Sequence, residues 1–320
     1  MATADSRPPV LVTTKIPASA VLRLEESCDV ELYQERPEMP AGELLQRVRG
    51  KRGLVSMFNN QIDRRVIDAA ADLAVIATVA VGYNNIDVAA ARERGIVVTN
   101  TPDVLTETTA DLAWTLILDV TRRVTEGDRL VRRGGWKGWT FDFMLGADLR
   151  GKQLGIVGFG RIGRAVARRA AAFGMRVAVH APRPPREIGT AEPMPLDRLL
   201  ATSDVVTLHC PLTADTRHLI DQRALARMKR TAYLVNTSRG PVVDEAALAW
   251  ALASRLIAGA ALDVYESEPA VKAELLTLEN VVLSPHLGSS TIETRTAMAD
   301  LAVRNVIAVL SGQAPLTPVP

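Results

Sequence analysis

Short apolar runs, each followed by a stretch of helical periodicity, recur from end to end of this 320-residue chain. In the first hundred residues the runs fall at 10–14, 29–33, 53–57, 73–79 and 96–99, with helix-like stretches such as AGELLQRVRG and DVAAARERGI between them. Six more follow at 153–158, 176–180, 205–210, 232–236, 259–264 and 281–284. Strands separated by helix-length crossovers pair in parallel, since a tight hairpin can join only antiparallel neighbours. The pattern therefore predicts an α/β protein of doubly wound parallel sheets with helices on both faces. A chain of this length can fill two domains of ordinary size.

From residue 101 the rhythm changes. TETTADLAWTLILDVTRRVTEGDRLVRRG reads as one long helix over 106–134, with acidic and hydroxyl residues in its first turn and arginines further on. GGWKGWTFDFMLGADLRG is irregular and carries two of the four tryptophans; it reads as an excursion before a new domain starts at Gly151. The last helix, TIETRTAMADLAVRNVIAVLSG, ends at Gly312, and pattern alone assigns it to neither domain.

Charge and hydropathy narrow the function classes. A net charge of +2 argues against a dedicated binder of nucleic acid or acidic membrane. The longest apolar run, LAVIATVAVGY, is too short to span a bilayer, and the N-terminal MATADSRPPV has no apolar core of signal-peptide length. Cys28 and Cys210 show no metal-ligand spacing, so a reduced, cytoplasmic setting is expected.

One turn carries a specific chemical signature. Gly158-Phe-Gly160-Arg161-Ile162-Gly163 follows the strand-like QLGIV and opens the helix-like RIGRAVARRAAAFG. In that setting Gly158 makes the tight turn, Gly160 lets a pyrophosphate approach the backbone, and Gly163 lets the helix pack on the strand. The helix N-terminus then faces the anion. The next strand of such a unit usually ends in an acid that binds the adenosine ribose, but here VAVHAPRPPR places Ala181 at that position. Alanine neither holds a 2′-hydroxyl nor repels a 2′-phosphate, while Arg183 and Arg186 can offer forked cations to one. NADP(H) is therefore expected ahead of NAD(H).

The useful side chains of the second half fall at strand ends. The glycine loop, Arg183, His209-Cys210-Pro211, Arg239 in NTSRG, Asp263, and His286 in SPHLG each follow a strand candidate. Ligands of open α/β sheets bind beyond the carboxyl ends of the strands, which can bring such residues into one cleft. Singly, Arg239 reads equally as a capping arginine, Asp263 as half of a salt bridge, Glu268 as a solvated loop acid and His286 as a structural histidine. His180, His209 and His218 keep that structural reading. The joint placement of Arg239, Glu268 and His286 points to an enzyme.

In order along the chain, VGYNNID, GFGRIG, LHCPLTADTRHLI, NTSRGPVVDEAAL, ALDVYESEP and SPHLGSST make it resemble the D-isomer-specific 2-hydroxyacid dehydrogenases. The resemblance implies a Rossmann-like NAD(P)-binding domain, 101–286, inserted in a flavodoxin-like substrate domain of 1–100 and 287–320. The long helices after 101 and after His286 then become the crossings between domains. It further implies that Arg239 holds a 2-keto acid, that His286 donates the proton and that Glu268 supports it. The residue types suit that chemistry, since a guanidinium forks onto carboxylate and ketone oxygens and an imidazole supplies a proton near neutrality. The backbone amides of Val81 and Gly82 are the implied cradle for the substrate carboxylate. Asp263 is set near the nicotinamide and Arg161 and Ile162 at the pyrophosphate, with Cys210, Pro211, Thr216, Thr237, Ser238, His286 and Gly288 also against the cofactor. No metal is implied.

Within that family the VGYNNIDV and RGGWKGW stretches are most similar to the glyoxylate and hydroxypyruvate reductases. The tryptophan segment implies a homodimer, with Trp136 or Trp139 near the partner's cleft. Enzymes acting on bulkier 2-keto acids stay open as an alternative, since pocket size depends on loops such as SMFNNQ. Formate dehydrogenases of this fold have Gln where Glu268 stands, which counts against them; phosphite oxidation stays open. The alternative of another class is a cofactor-sensing corepressor, whose relatives add long tails.

Overall fold

The computed structural model describes residues 7–36, 38–182 and 189–320. The chain divides into two compact units, Met1–Leu105 with Thr291–Pro320, and Thr106–Ser290.

The first unit is built on five parallel strands, β1 (Pro9–Val12), β2 (Asp29–Leu32), β3 (Gly53–Ser56), β4 (Val75–Thr78) and β5 (Val97–Thr99). Their order is β2-β1-β3-β4-β5, the flavodoxin-type arrangement. β3 and β4 are buried at every position, as strands between two helical layers must be, whereas the edge strand β2 stays partly exposed. The helix Ile292–Leu310 belongs to this unit: Val306 and Leu310 close on Gly53, where a Cβ would stand 3.1 Å from Val306. The buried Asn305 then anchors the tail. Its carbonyl oxygen accepts from the amides of Leu316 (2.9 Å) and Thr317 (3.0 Å), and Val319 N–H donates to Val98 on β5.

The second unit holds seven parallel strands: β6 (Gln153–Val157), β7 (Arg176–His180), β8 (Glu192–Pro193), β9 (Val205–Leu208), β10 (Tyr233–Asn236), β11 (Gly259–Leu262) and β12 (Val281–Leu283). The order β12-β11-β10-β9-β6-β7-β8 reverses direction between β6 and β9, which opens a crevice beyond their carboxyl ends. The helix Thr106–Arg122 covers the sheet with Ala110, Ala113, Trp114, Ile117 and Val120, a spacing that puts them on one face. Trp114 stacks on Phe173 at 4.3 Å and donates its indole N–H to Val166 O.

Two features depart from the expectations. β8 carries no apolar run, being two exposed residues that pair with Ala178 and Val179. The helix expected over 106–134 is two helices, Thr106–Arg122 and Val124–Arg132, separated by Arg123 in a left-handed conformation (φ +58°). Asp119 reaches forward to accept from Thr125 N–H (2.7 Å) and its hydroxyl, and Arg123 donates to Glu126. Neither glycine nor proline marks this break, so helical periodicity runs straight through it. Among the described residues no helix is long and apolar enough to cross a membrane.

Candidate active site

The glycine turn follows β6. Gly158 has φ +92°, and a Cβ on it would stand 2.5 Å from the amide nitrogen of Cys210, so β9's loop lies directly against it. A Cβ on Gly163 would meet the Gly158 carbonyl oxygen at 2.2 Å, which binds the helix Arg161–Ala170 closely to the turn. Gly160 differs. Among the described residues nothing lies within 4 Å of its Cβ position, no side chain caps the helix and no acid stands in its first turn. An open backbone face beside uncapped helix amides fits a dinucleotide pyrophosphate. Arg161 and Ile162 form that first turn. Ala181 is partly exposed just after β7, while Arg183 and Arg186 lie outside the described residues.

β9 and β10 deliver the next loops. His209 is partly buried with its ring nitrogens beside the hydroxyls of Thr207 (2.9 Å) and Thr237 (3.4 Å), and desolvation pushes its pKa down to about 3. Burial also raises the thiol of Cys210 to about 11. Thr216 shapes its own loop, donating to Pro211 O at 2.6 Å and accepting from Thr213 N–H. After β10, Asn236 organises the turn that carries Arg239: its oxygen accepts from the Ser238 amide and hydroxyl, and its NH2 donates to Arg239 O at 2.9 Å. Burial draws the Arg239 guanidinium below its ordinary value, while the charge of Glu268 acts the other way.

β11 and β12 bring the acid and the histidine together. His286, at φ +54°, places Nδ1 at 2.8 Å from Glu268 Oε2. The other carboxylate oxygen of Glu268 accepts from Tyr265 N–H at 3.0 Å. Burial alone would raise this carboxyl, but His286, the Tyr265 amide and Arg239 together hold it below the usual carboxylate value. Asp263, which the resemblance sets near the nicotinamide, is buried and engaged with the turn that bears His286. Its oxygens accept from Ser284 Oγ (2.6 Å), Leu287 N–H (2.7 Å) and Gly288 N–H (2.9 Å). Burial raises its pKa, opposed by these donors. Thr109 holds the carbonyl of Gly288 at 3.1 Å.

Arg239, Glu268 and His286 thus converge from three strand ends of one unit. Val81 and Gly82 belong to the first unit, in the bend after β4, where Asn100 donates to Val81 O at 2.7 Å. Sequence reasoning gave no role to Asn236 or Ser284; a polar residue closing a β-strand beside NTSRG or SPHLG was the available signal. A separate cavity of about 430 Å³, lined by residues that include Tyr233, Gly259 and Asn280, lies at the opposite, amino-terminal ends of β10–β12. Among the described residues no cluster of His, Cys, Asp and Glu is placed to hold a metal ion.

Comparison with known proteins bears on this geometry. Residues 114–288 match the family model described as D-isomer specific 2-hydroxyacid dehydrogenase, NAD binding domain. The chain is 50% identical over 319 residues to a glyoxylate reductase of Thermococcus kodakarensis, covering 97% of this chain and 96% of that one. It superposes on a solved Thermus thermophilus protein with a TM-score of 0.92 at 47% identity, covering 98% of this chain and all (100%) of that one. An NADPH-dependent glyoxylate/hydroxypyruvate reductase of Sinorhizobium meliloti, solved with NADP and malonate, gives 0.89 at 39% identity, with 98% and 97% covered. The chain belongs to the D-isomer specific 2-hydroxyacid dehydrogenases, NAD(P)-dependent oxidoreductases that act on the CH–OH group of their donors.

Proposed function

We propose that this enzyme reduces small 2-keto acids, glyoxylate and hydroxypyruvate, to D-2-hydroxy acids, with NADPH preferred over NADH. The observation that carries the reading is the imidazole–carboxylate pair of His286 and Glu268 at 2.8 Å, in the electrostatic reach of Arg239. A bound nicotinamide supplies the hydride. Gly158, Gly160, Gly163 and the amides of Arg161 and Ile162 hold the pyrophosphate, and Arg183 and Arg186 take the 2′-phosphate. Arg239 holds the substrate oxygens by forked hydrogen bonds and polarises the carbonyl. With Nδ1 on Glu268, the His286 ring is oriented so that Nε2 delivers a proton to the oxygen as negative charge builds on it. Asp263 keeps that ring in place through the 284–288 turn, and the amides of Val81 and Gly82 receive the substrate carboxylate.

In this reading the unit Thr106–Ser290 is the cofactor domain and the other the substrate domain. Trp136, Trp139, Phe141 and Leu145 are large exposed apolar residues within one ten-residue segment, which supports a homodimer. The free, buried Cys28 and Cys210 support a reduced, cytoplasmic setting. Nucleic acid and membrane have no part in the proposal.

Initial rates with glyoxylate, hydroxypyruvate and phenylpyruvate against both cofactors test it. The expected result is a higher kcat/KM for the small acids with NADPH. A tenfold preference for phenylpyruvate would move the enzyme to bulkier acids, and a preference for NADH would overturn the cofactor assignment. Cofactor binding without reduction of any 2-keto acid would favour a sensing protein instead.

A further inference from the structure

The loop that presents Glu268 carries a second imidazole–carboxylate pair. Glu266 Oε1 is hydrogen-bonded to His218 Nε2, and both side chains are only partly exposed. The sequence leaves His218 with a structural reading, yet its surroundings tie it to all three reacting groups. His218 itself sits at φ +51°, as His286 does at +54°. Its amide donates to Pro241 O at 2.8 Å, two residues beyond Arg239. Ile220 N–H donates to Val242 O and Asp244 N–H to Ile220 O, so the loop after β9 is stitched to the segment after Arg239.

The Glu266 end is equally constrained. Its amide donates to the buried Glu245 carboxylate at 2.7 Å. A Cβ on Gly240, the neighbour of Arg239, would stand 1.8 Å from the carbonyl carbon of Tyr265 and 2.4 Å from Glu266 N. The Arg239 turn therefore lies directly against the Tyr265–Glu266 peptide. Tyr265 N–H in turn holds Glu268, which holds His286. Backbone contacts join these segments on one side. The His218–Glu266 bond is the side-chain contact that closes the ring formed by the 218 loop, the Arg239 turn and the 265–268 loop.

We propose that His218 and Glu266 are positioning residues, a second imidazole–carboxylate pair that aligns the loop of Glu268 against the turn of Arg239. Neither touches substrate. Their bond limits how far Glu268 can drift from His286 while Arg239 engages its ligand. A displacement of about 1 Å at such a site can cost up to a hundredfold in rate. This inference rests on the catalytic reading above.

The test compares Glu266→Ala, Glu266→Gln, His218→Ala, His218→Gln and the double alanine variant, in the full chain with glyoxylate or whichever 2-keto acid the wild type reduces. Gln at 266 keeps an acceptor for Nε2–H, and Gln at 218 keeps a donor of similar reach. Both alanine variants are expected to lose about tenfold or more in kcat, with the cofactor Kd within about twofold of wild type. Both Gln variants should recover most of that loss, and the double alanine variant should be no slower than either single one, the mark of a coupled pair. Should an alanine variant not fold, the Gln substitution at the same position and the pair at the other one still decide. Alanine variants as fast as wild type would overturn the proposal. So would Gln variants as slow as alanine, or additive losses. A wild type that reduces no 2-keto acid overturns the parent reading as well, whereas an active wild type with fast alanine variants overturns this one alone.

Discussion

His286 Nδ1 lies 2.8 Å from Glu268 Oε2, although eighteen residues and strand β12 separate them along the chain. The pair is braced from both ends. Tyr265 N–H holds the second oxygen of Glu268, and three hydrogen bonds to Asp263 shape the turn that presents His286.

Removing the proposed proton donor should stop the chemistry and spare the cofactor. His286→Ala is expected to lower kcat by about 10²–10⁴-fold, the usual contribution of a positioned acid. Cofactor Kd, read by fluorescence titration, should change little. Near-normal turnover would show that another group delivers the proton.

Glu268→Gln should move the pH dependence of stability in a defined direction. Its kcat should fall by less than that of His286→Ala, because the amide can still hold the ring at Nδ1 while the carboxylate charge is lost. In stability the sign is the opposite of a raised group. The folded-state pKa of Glu268 is depressed, so its contribution is present above the ordinary carboxylate value and is lost as pH falls through the folded one. Denaturant melts at pH 7 and pH 3 check this: wild type should lose more stability on acidification than the Gln variant.

Gly163 and Gly160 of the turn should respond to substitution in different ways. Gly163→Ala forces a Cβ against the Gly158 carbonyl oxygen at 2.2 Å and is expected to destabilise by about 1–3 kcal/mol, visible in Tm. Gly160→Ala has open space and an ordinary φ of −74°, so its Tm should stay near that of wild type. Its cost should appear in cofactor Kd, by tenfold or more, if the pyrophosphate lies where proposed.

Arg183→Ala and Arg186→Ala test the reading of Ala181. Each should lower kcat/KM for NADPH by about tenfold and leave NADH almost untouched, because a forked cation is lost only to the 2′-phosphate. Equal losses with both cofactors would make the loop merely basic. An Asp at 181 should shift preference toward NADH.

Both thiols should be silent in the native protein. Cys28 and Cys210 are buried, and burial raises both thiols, that of Cys210 to about 11. Titration with a chromogenic disulfide at pH 8 should find almost none before denaturant and two per chain after it. Rapid native reaction would mean that the loop after β9 opens.

Local pattern was enough for much of this protein. Eleven of the strands and the glycine turn announce themselves over four to seven residues, because burial between helical layers demands mostly apolar runs and a βα phosphate turn demands glycines at set spacing. Several expected strands ran one or two residues past the carboxyl end, as at 205–210 against Val205–Leu208, because the chain leaves the sheet where the loops beyond it begin. Arg239, Glu268 and His286 were legible through their motifs and the family that the motifs resemble, rather than through any property of each residue alone.

Other features have no local signature. The break at Arg123 depends on Asp119 reaching a later helix, and β8 exists only because Ala178 and Val179 offer it an edge. The last helix joins the first sheet where Val306 and Leu310 meet Gly53, and the tail that Asn305 anchors reaches Val98 through Val319, both contacts that span most of the chain. Asp263 meets its donors, and His218 a glutamate 48 residues away, only in the folded chain. Sequence by itself determined eleven of the strand segments, where the glycine turn lies and which chemical groups stand at strand ends. Tertiary structure alone decided which of those groups meet, because hydrogen bonds and charge act over a few ångströms in space without regard to distance along the chain.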